Sequence, residues 1–437
     1  MRVRGVLGVA VTVMVGLAGC SGSSPEEAAS APATAPAVAT PASITPLPQG
    51  KPFDVAASDM TIHSFHSDPQ TKSTSFRLNC YPLWSDVETA KGKYNWPLFD
   101  LAIANSRAWG AEVMMYSFCG TPKWAAASAP QDPAVEVFGP GSTAVPKMND
   151  FEDYVRAVVK RYKDDISAWE VWNEASSPQF FQGTPEQMRE MTEIVRDVVK
   201  EEDPDGLVTM ASMQTHRKDY YKGFAEPYMA ALAKADWPID VYNGHFYPFG
   251  EAGPAARREQ IAMFRKSLAN LNAPDKPLWD TEVNYYTGVP GGEPNGRVTG
   301  DRAAAWAVRT YLDGWRLDVR RNYWYFATVE YDAFPGIQTR PGDPATVALA
   351  TFHDWVIGSR FNGCEPEGDL VNCAFVKNNK VFYVAWGESA SGNDTKNVRV
   401  SYPLTGPAKV CQLPDNTCKT TSSLTVDEVP VLITPTV

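Results

Sequence analysis

Past its first twenty residues the chain has no apolar run long enough to cross a membrane, no internal repeat and no Cys-x-x-Cys pair. The first absence leaves no spanning helix, and the second sets aside solenoids and propellers. The third, with no histidine near the cysteines, removes the usual support for a structural zinc site. Positive charge is also short. There are 40 Lys and Arg against 51 Asp and Glu, a formal charge of −11. A surplus of negative charge disfavours nucleic acid and anionic membrane surfaces as partners.

What is present is size and aromatic content. A chain of 437 residues accommodates one large barrel and a small additional domain. Thirteen Trp and eighteen Tyr are more rings than a modest core needs. Most rings belong to cores, but a surplus suits stacking on the faces of neutral sugars.

The N-terminus reads as an export signal. Arg2 and Arg4 precede an apolar stretch from Val6 to Ala18, too short for a comfortable span. It ends Leu17-Ala18-Gly19-Cys20, which resembles a bacterial lipobox; residues 1–20 thus read as a lipoprotein signal with its lipobox, and the implied mature N-terminus is a lipid-bearing Cys20. Residues 21–50 are mostly Ser, Ala, Pro and Thr and cannot build a core. As a Pro-rich tether they reach up to ~90 Å at ~3 Å per residue. Six further cysteines, Cys80, Cys119, Cys364, Cys373, Cys411 and Cys418, form an even set, as expected of disulfides after export. Fifteen pairings are open. Short spacing favours Cys364–Cys373 and Cys411–Cys418, which leaves Cys80–Cys119, a bridge worth about 4 kcal/mol by loop entropy.

Strand-like and helix-like segments alternate from about residue 58. The expected strands are His63–His66, Ser75–Cys80, Glu112–Ser117, Ile166–Asn173, Leu207–Ser212, Val241–Tyr247, Leu278–Glu282 and Tyr323–Ala327. Between the fourth and fifth, Thr184 with Gln187 makes a capping box and Pro185 suits the first helical position. Met188, Met191, Ile194, Val195 and Val198 follow as a helical stripe. Eight such units predict an α/β fold, a (β/α)8 TIM barrel over residues 51–358. Beyond it, short β-like runs such as Val381–Trp386 alternate with turn clusters, predicting a small β-sandwich domain over residues 359–437.

Two segments carry the chemistry, Trp169-Glu170-Val171-Trp172-Asn173-Glu174 and Leu278-Trp279-Asp280-Thr281-Glu282. Each is an apolar run ending in a carboxylate. Two such strand-end carboxylates are what glycoside hydrolysis requires, one acid and one nucleophile or base. Over roughly residues 55–355 the pattern resembles the clan A retaining glycoside hydrolases, nearest to families 39 and 5. The resemblance implies that Glu174, after Asn173 on the fourth strand, is the acid/base, and that Glu282, ending the seventh, is the nucleophile. It also implies that Asn173 binds the sugar 2-hydroxyl and that Tyr247, with His245 on the sixth strand, holds the nucleophile ionised.

Other residues are read from their own surroundings. Arg77 lies in an apolar strand and needs a buried anion, either Glu282 or Glu170. Asp280 is two residues before Glu282 and is expected on the same face, one layer lower. Trp124 and Trp324 are candidates to stack on sugar. His63 and His66 either line the site or hint at a metal, for which no third ligand is visible.

The expected function is therefore an exported, lipid-anchored retaining glycosidase on the outer face of the cell membrane, a monomer acting on a β-linked glycan of the cell envelope. It is expected to need no cofactor and no metal, to have no nucleic-acid partner, and to touch membrane only through its lipid. The competing readings are a transglycosylase on the same fold and a non-catalytic sugar-binding lipoprotein. The latter has no use for paired strand-end glutamates.

Overall fold

The structure is a computed structural model and describes residues 51–62, 67–248, 253–285, 298–327, 336–389 and 398–436. The signal, Cys20 and the tether fall outside the described residues, as do His63 and His66.

Eight parallel strands form one sheet: β1 (Asp59–Ile62), β2 (Ser75–Leu78), β3 (Val113–Ser117), β4 (Ala168–Glu170), β5 (Leu207–Thr209), β6 (Tyr242–His245), β7 (Leu278–Val283) and β8 (Val319–Ala327). The order runs β5-β4-β3-β2-β1-β8-β7-β6. A parallel bridge between Thr209 and Val241, with Met210 N donating to Val241 O at 3.1 Å, brings β5 round to β6. The expected barrel is thus present. Its first strand is described over Asp59–Ile62, where Met60 and Ile62 are buried and pair with β2 and β8; the His63–His66 segment expected in that strand lies outside the described residues.

Seven longer helices follow strands β2 to β8 in turn: α1 (Pro97–Ala108), α2 (Met148–Tyr162), α3 (Pro185–Glu202), α4 (Glu226–Lys234), α5 (Arg257–Asn270), α6 (Gly300–Arg316) and α7 (Pro344–Val356). In α3 the Thr184–Gln187 capping box forms in both directions, and Met188, Met191, Val195 and Val198 are buried. The box satisfies two backbone donors that the first turn leaves without helical partners.

The strands alternate between two apolar environments. Tyr116, Trp169 and Phe118 face outward to the helical layer, where Phe99, Phe151 and Tyr154 meet them. Inside, Met115, Ala168, Val241, Trp279 and Tyr323 form a separate apolar cluster. This layer plugs the lumen, so polar groups nearer the strand C-termini stand on a dry floor.

The second domain is antiparallel. A seven-stranded sheet runs from Phe53–Val55 through Ser359–Glu367, Leu370–Lys377, Lys380–Gly387, Val431–Pro435 and Ala408–Gln412 to Thr417–Thr421. A two-stranded sheet, Val400–Tyr402 with Leu424–Val426, covers one face, and Val410, Val426 and Ile433 share the core between them. The edge strand Phe53–Val55 enters from the N-terminal side of the barrel and pairs with Ser359–Phe361. The domain is clamped to the barrel in two ways. Trp315 of α6 packs on Phe53, Phe352 and Phe361. Glu388 is bound by Arg258 and Arg309, which also face Asp313. Burial works against the Asp313 charge, but three arginines outweigh it and hold that carboxyl well below the usual range.

Three disulfides form, Cys80–Cys119, Cys364–Cys373 and Cys411–Cys418. The last two are the pairs that short spacing favoured, and the first is the pair that this left. The first ties the ends of β2 and β3 together at the C-terminal rim of the barrel. The other two are cross-strand pairs in the antiparallel sheet.

Candidate active site

The site begins with Arg77, whose side chain is fully buried. By strand alternation Ser75, Arg77 and the following Asn79 point inward from β2, while Phe76 and Leu78 point to the helices. Arg77 distributes its guanidinium over three partners. Nε donates to Glu170 Oε2 at 2.7 Å, Nη1 to Glu282 Oε1 at 2.7 Å, and Nη2 to Asn173 Oδ1 at 2.8 Å. Both anions proposed from sequence therefore bind it. Burial alone opposes the Arg77 charge, and Glu170 and Glu282 more than compensate.

Glu282 owes its position to an irregularity in β7. The pairing register of β7 shifts against both neighbours between Asp280 and the Glu282–Val283 step. Such a bulge places two consecutive side chains on one face. Thr281 and Glu282 consequently both reach the lumen. Asp280 does not share their face, contrary to the expectation from simple alternation. It points to the helical layer, where Arg257 Nη2 donates to it at 2.6 Å and the Phe246 amide at 3.3 Å. Burial pushes Asp280 up to about 7, against the pull of Arg257.

Glu282 receives three side-chain donors: Arg77 Nη1 (2.7 Å) and Asn79 Nδ2 (2.8 Å) on Oε1, and Tyr247 OH (3.0 Å) on Oε2. Burial raises its pKa from the ordinary value, and the Arg77 charge acts in the opposite direction. Glu174 is placed differently. β4 ends at Glu170, so Glu174 sits beyond the strand, in a turn with φ of 43°. Left-handed backbone at a residue other than glycine is strained and is found disproportionately at functional sites. The turn is held by Ser212, whose Oγ accepts from the Glu174 amide at 2.9 Å, and by the Ser177 amide donating to Glu174 O at 2.8 Å. The carboxyl meets a neutral donor, Gln214 Nε2 at 2.6 Å, and the ring nitrogen His245 Nδ1 at 2.9 Å. Burial lifts it to about 7, with Gln214 and Arg77 only partly offsetting the rise.

A carboxylate oxygen of each glutamate and a ring nitrogen of His245 all lie within 4.8 Å of one another. Oxygen and imidazole donors so grouped are a set that a cation can use. Arg77 opposes that use, since its fixed positive charge sits 2.7 Å from Glu282 Oε1.

Not every sequence candidate joins the site. Trp324 is fully buried and faces outward, 6.1 Å from the Tyr285 ring. The next residue in the alternation, Tyr325, faces inward and meets Tyr247 edge-on at 6.0 Å. Trp124 is half-buried against Trp84, and its Nε1 donates to Glu88 O at 3.2 Å. No described contact links it to either glutamate.

Four site residues were not singled out from sequence: Asn79, Gln214, Asn243 and Thr281. Period-two counting from Arg77 and His245 reaches Asn79 and Asn243. Thr281 is hidden by the bulge, and Gln214 lies in the connection after β5, where no periodicity applies.

No family model and no curated protein matches the chain. Solved structures do match in fold. One is a family 39 glycoside hydrolase from the gut symbiont Bacteroides cellulosilyticus WH2, with TM-score 0.62 and 16% identity over 86% of this chain and 81% of that one. A family 39 β-xylosidase from Caulobacter crescentus gives TM-score 0.62 and 16% identity over 88% and 97%. A family 30 endoxylanase from Clostridium papyrosolvens C71 gives 0.57 and 16% over 88% and 97%. At this identity the likeness is one of fold, a TIM barrel with a β-sandwich domain like those of clan A glycoside hydrolases.

Proposed function

We propose that the protein is a retaining glycoside hydrolase that cleaves β-linked glycan by double displacement, with Glu174 as acid/base and Glu282 as nucleophile. The observation that carries this reading is the pair of buried carboxyls within 4.8 Å, one ringed by cationic and hydroxyl donors and the other lifted to about 7. Burial raises both carboxyls, but Glu282 bears the direct Arg77 bond and Glu174 does not, and that difference supports Glu174 as acid and Glu282 as nucleophile. One oxygen of each lies within 4.8 Å of the other, which accords with the about 5–5.5 Å between groups that direct attack needs.

In the first step Glu282 attacks the anomeric carbon while Glu174 gives its proton to the departing oxygen. The glycosyl-enzyme forms and the aglycone leaves. Glu174, now an anion, then takes a proton from water as that water attacks the same carbon, and Glu282 is released. Arg77, Asn79 and Tyr247 hold Glu282 in line throughout. Asn173 offers Oδ1 to Arg77, so its amide nitrogen is the donor it can present to a sugar 2-hydroxyl. Tyr325, not Trp324, supplies the ring beside Tyr247.

The neighbours named above include a xylosidase and an endoxylanase, so β-xylosides head the list of substrates to try. The tether and lipobox support action on a cell-envelope polysaccharide. The test is a panel of aryl β-glycosides and cell-wall glycans, with the first-formed product anomer read by NMR. At least one should be cleaved with net retention. Inverted product, or no turnover across the panel, overturns the reading.

Cys20 is proposed to carry lipid that tethers the enzyme to the outer face of the cell membrane. Cells fed radiolabelled palmitate should label the wild-type protein and not the Cys20→Ser variant. An unlabelled wild type removes the anchor from the proposal.

A further inference from the structure

Behind the two glutamates runs a chain of hydrogen bonds whose directions are determined by its far end. Glu170 has both carboxylate oxygens occupied by donors, Arg77 Nε on Oε2 and Asn243 Nδ2 on Oε1 at 2.8 Å. Turning the Asn243 amide over would set its carbonyl against a carboxylate, so the orientation is fixed. Asn243 Oδ1 then faces Thr281 Oγ1 at 2.7 Å. A carbonyl oxygen cannot donate, so the Thr281 hydroxyl must. A hydroxyl has one proton. Toward His245 Nε2, 3.0 Å away, Thr281 can therefore only accept, and Nε2 must carry a hydrogen.

We propose that Thr281 and Asn243 are positioning residues that hold His245 as the tautomer protonated on Nε2, so that its bare Nδ1 faces Glu174 and keeps the acid's proton in place. The inference rests on the glycosidase reading for its purpose, but not for its geometry. His245 Nδ1 lies 2.9 Å from Glu174 Oε1 and 3.5 Å from Glu282 Oε2. A lone pair there accepts a hydrogen bond from protonated Glu174 and repels the anion that is left after proton transfer. Repulsion of the anion raises the basicity of Glu174, which is what its second role as base demands.

The charges facing the pair are Arg77 from β2, Glu170 from β4 and Glu282 from β7, with His216 and Tyr247 near the ring. Burial lowers the His245 pKa to about 4, with Glu282 opposing and Arg77 assisting, so the ring is neutral where Glu174 titrates. His353 offers an internal reference. Its Nδ1 lies 2.7 Å from the carbonyl of Thr71, which requires the opposite tautomer.

The experiment is nitrogen NMR of protein labelled with 15N-histidine, of which the chain has five, with His245 identified by its loss in His245→Ala. Near pH 6, His245 should show a protonated Nε2 and an unprotonated Nδ1, while His353 shows the reverse. An Nδ1-protonated ring or an imidazolium at His245 overturns the proposal whatever the enzyme's activity. The kinetic arm uses Thr281→Val, which keeps the shape and removes the hydroxyl. The freed ring can then turn its proton toward Glu174 and stabilise the anion. The basic limb of kcat/KM should move down by about one pH unit, roughly a tenfold change in the Glu174 proton affinity. KM should change little, and Thr281→Ser should restore the limb. An unmoved limb in a folded Thr281→Val protein with an altered His245 spectrum overturns the link to Glu174. If no glycoside is turned over, the glycosidase reading fails while the spectrum still decides the tautomer.

Discussion

Glu282→Ala should stop hydrolysis of aryl glycosides and glycans alike, because no covalent intermediate can form without a carboxylate beneath the anomeric carbon. The loss should be at least the ~10²–10⁴-fold typical of a single positioned catalytic group. Azide should restore turnover of activated aryl substrates. It would enter the vacated space and attack the anomeric carbon directly, giving a glycosyl azide of inverted configuration. The surroundings of Glu282 add a second signature. Removing one partner of a buried ion pair typically costs about 3–5 kcal/mol. Here Glu170 and Asn173 remain on Arg77, so the variant should fold with a reduced melting temperature. Azide, an anion that can sit against Arg77 Nη1 and Asn79 Nδ2, should raise that temperature as it restores activity. A mechanism-based fluorosugar should label Glu282 in the wild type. Labelling of Asp280 or Glu170 would sink the assignment, and the structure gives the reason to expect neither. Asp280 faces Arg257 outside the lumen, and Glu170 has both oxygens occupied beneath Arg77.

The sequence pattern reaches this site unevenly, and the reasons are physical. The barrel is visible because each strand is a short apolar run and each helix a 3.6-residue stripe, and those periods survive folding. Arg77 is visible because a guanidinium within such a run demands an anion. Strand boundaries are less so. The regular β4 ladder ends at Glu170, while the sequence stays apolar to Trp172, because the chain runs on beside β5 with looser bonds, Val171 N donating to Thr209 O at 3.4 Å and Ser212 N to Trp172 O at 2.9 Å. Alternation also misplaces Asp280 and Trp324. In β7 a bulge adds a residue that no hydrophobic pattern encodes. In β8 four consecutive rings mask the period that separates Tyr325 from Trp324. Gln214 escapes altogether, because the residues after β5 follow a path set by tertiary bonds such as Gln214 N to Ser176 Oγ.

Glu174→Ala should divide substrates by leaving group. Departure of a sugar oxygen from a natural glycan needs protonation, and its rate should fall by about 10²–10⁴-fold. An activated phenolate leaves without help, so the first step on aryl glycosides should be nearly intact. Glycosyl-enzyme should then accumulate, because the second step lacks its base. Azide needs no deprotonation and should relieve that block, giving a glycosyl azide of retained configuration, opposite to the Glu282→Ala product. The pH profile checks the same residue independently. Glu174 lifted to about 7 must be protonated for the first step, so wild-type kcat/KM on a glycan should fall as pH rises through that value. In Glu174→Ala the basic limb should vanish. Its survival would mean that another group, with Asp280 at about 7 the first suspect, sets the limb. Asp280→Asn separates the two. Asp280 contacts Arg257 and the Phe246 and Glu282 backbone amides but neither glutamate side chain, so its loss should lower stability and leave the limb where it was.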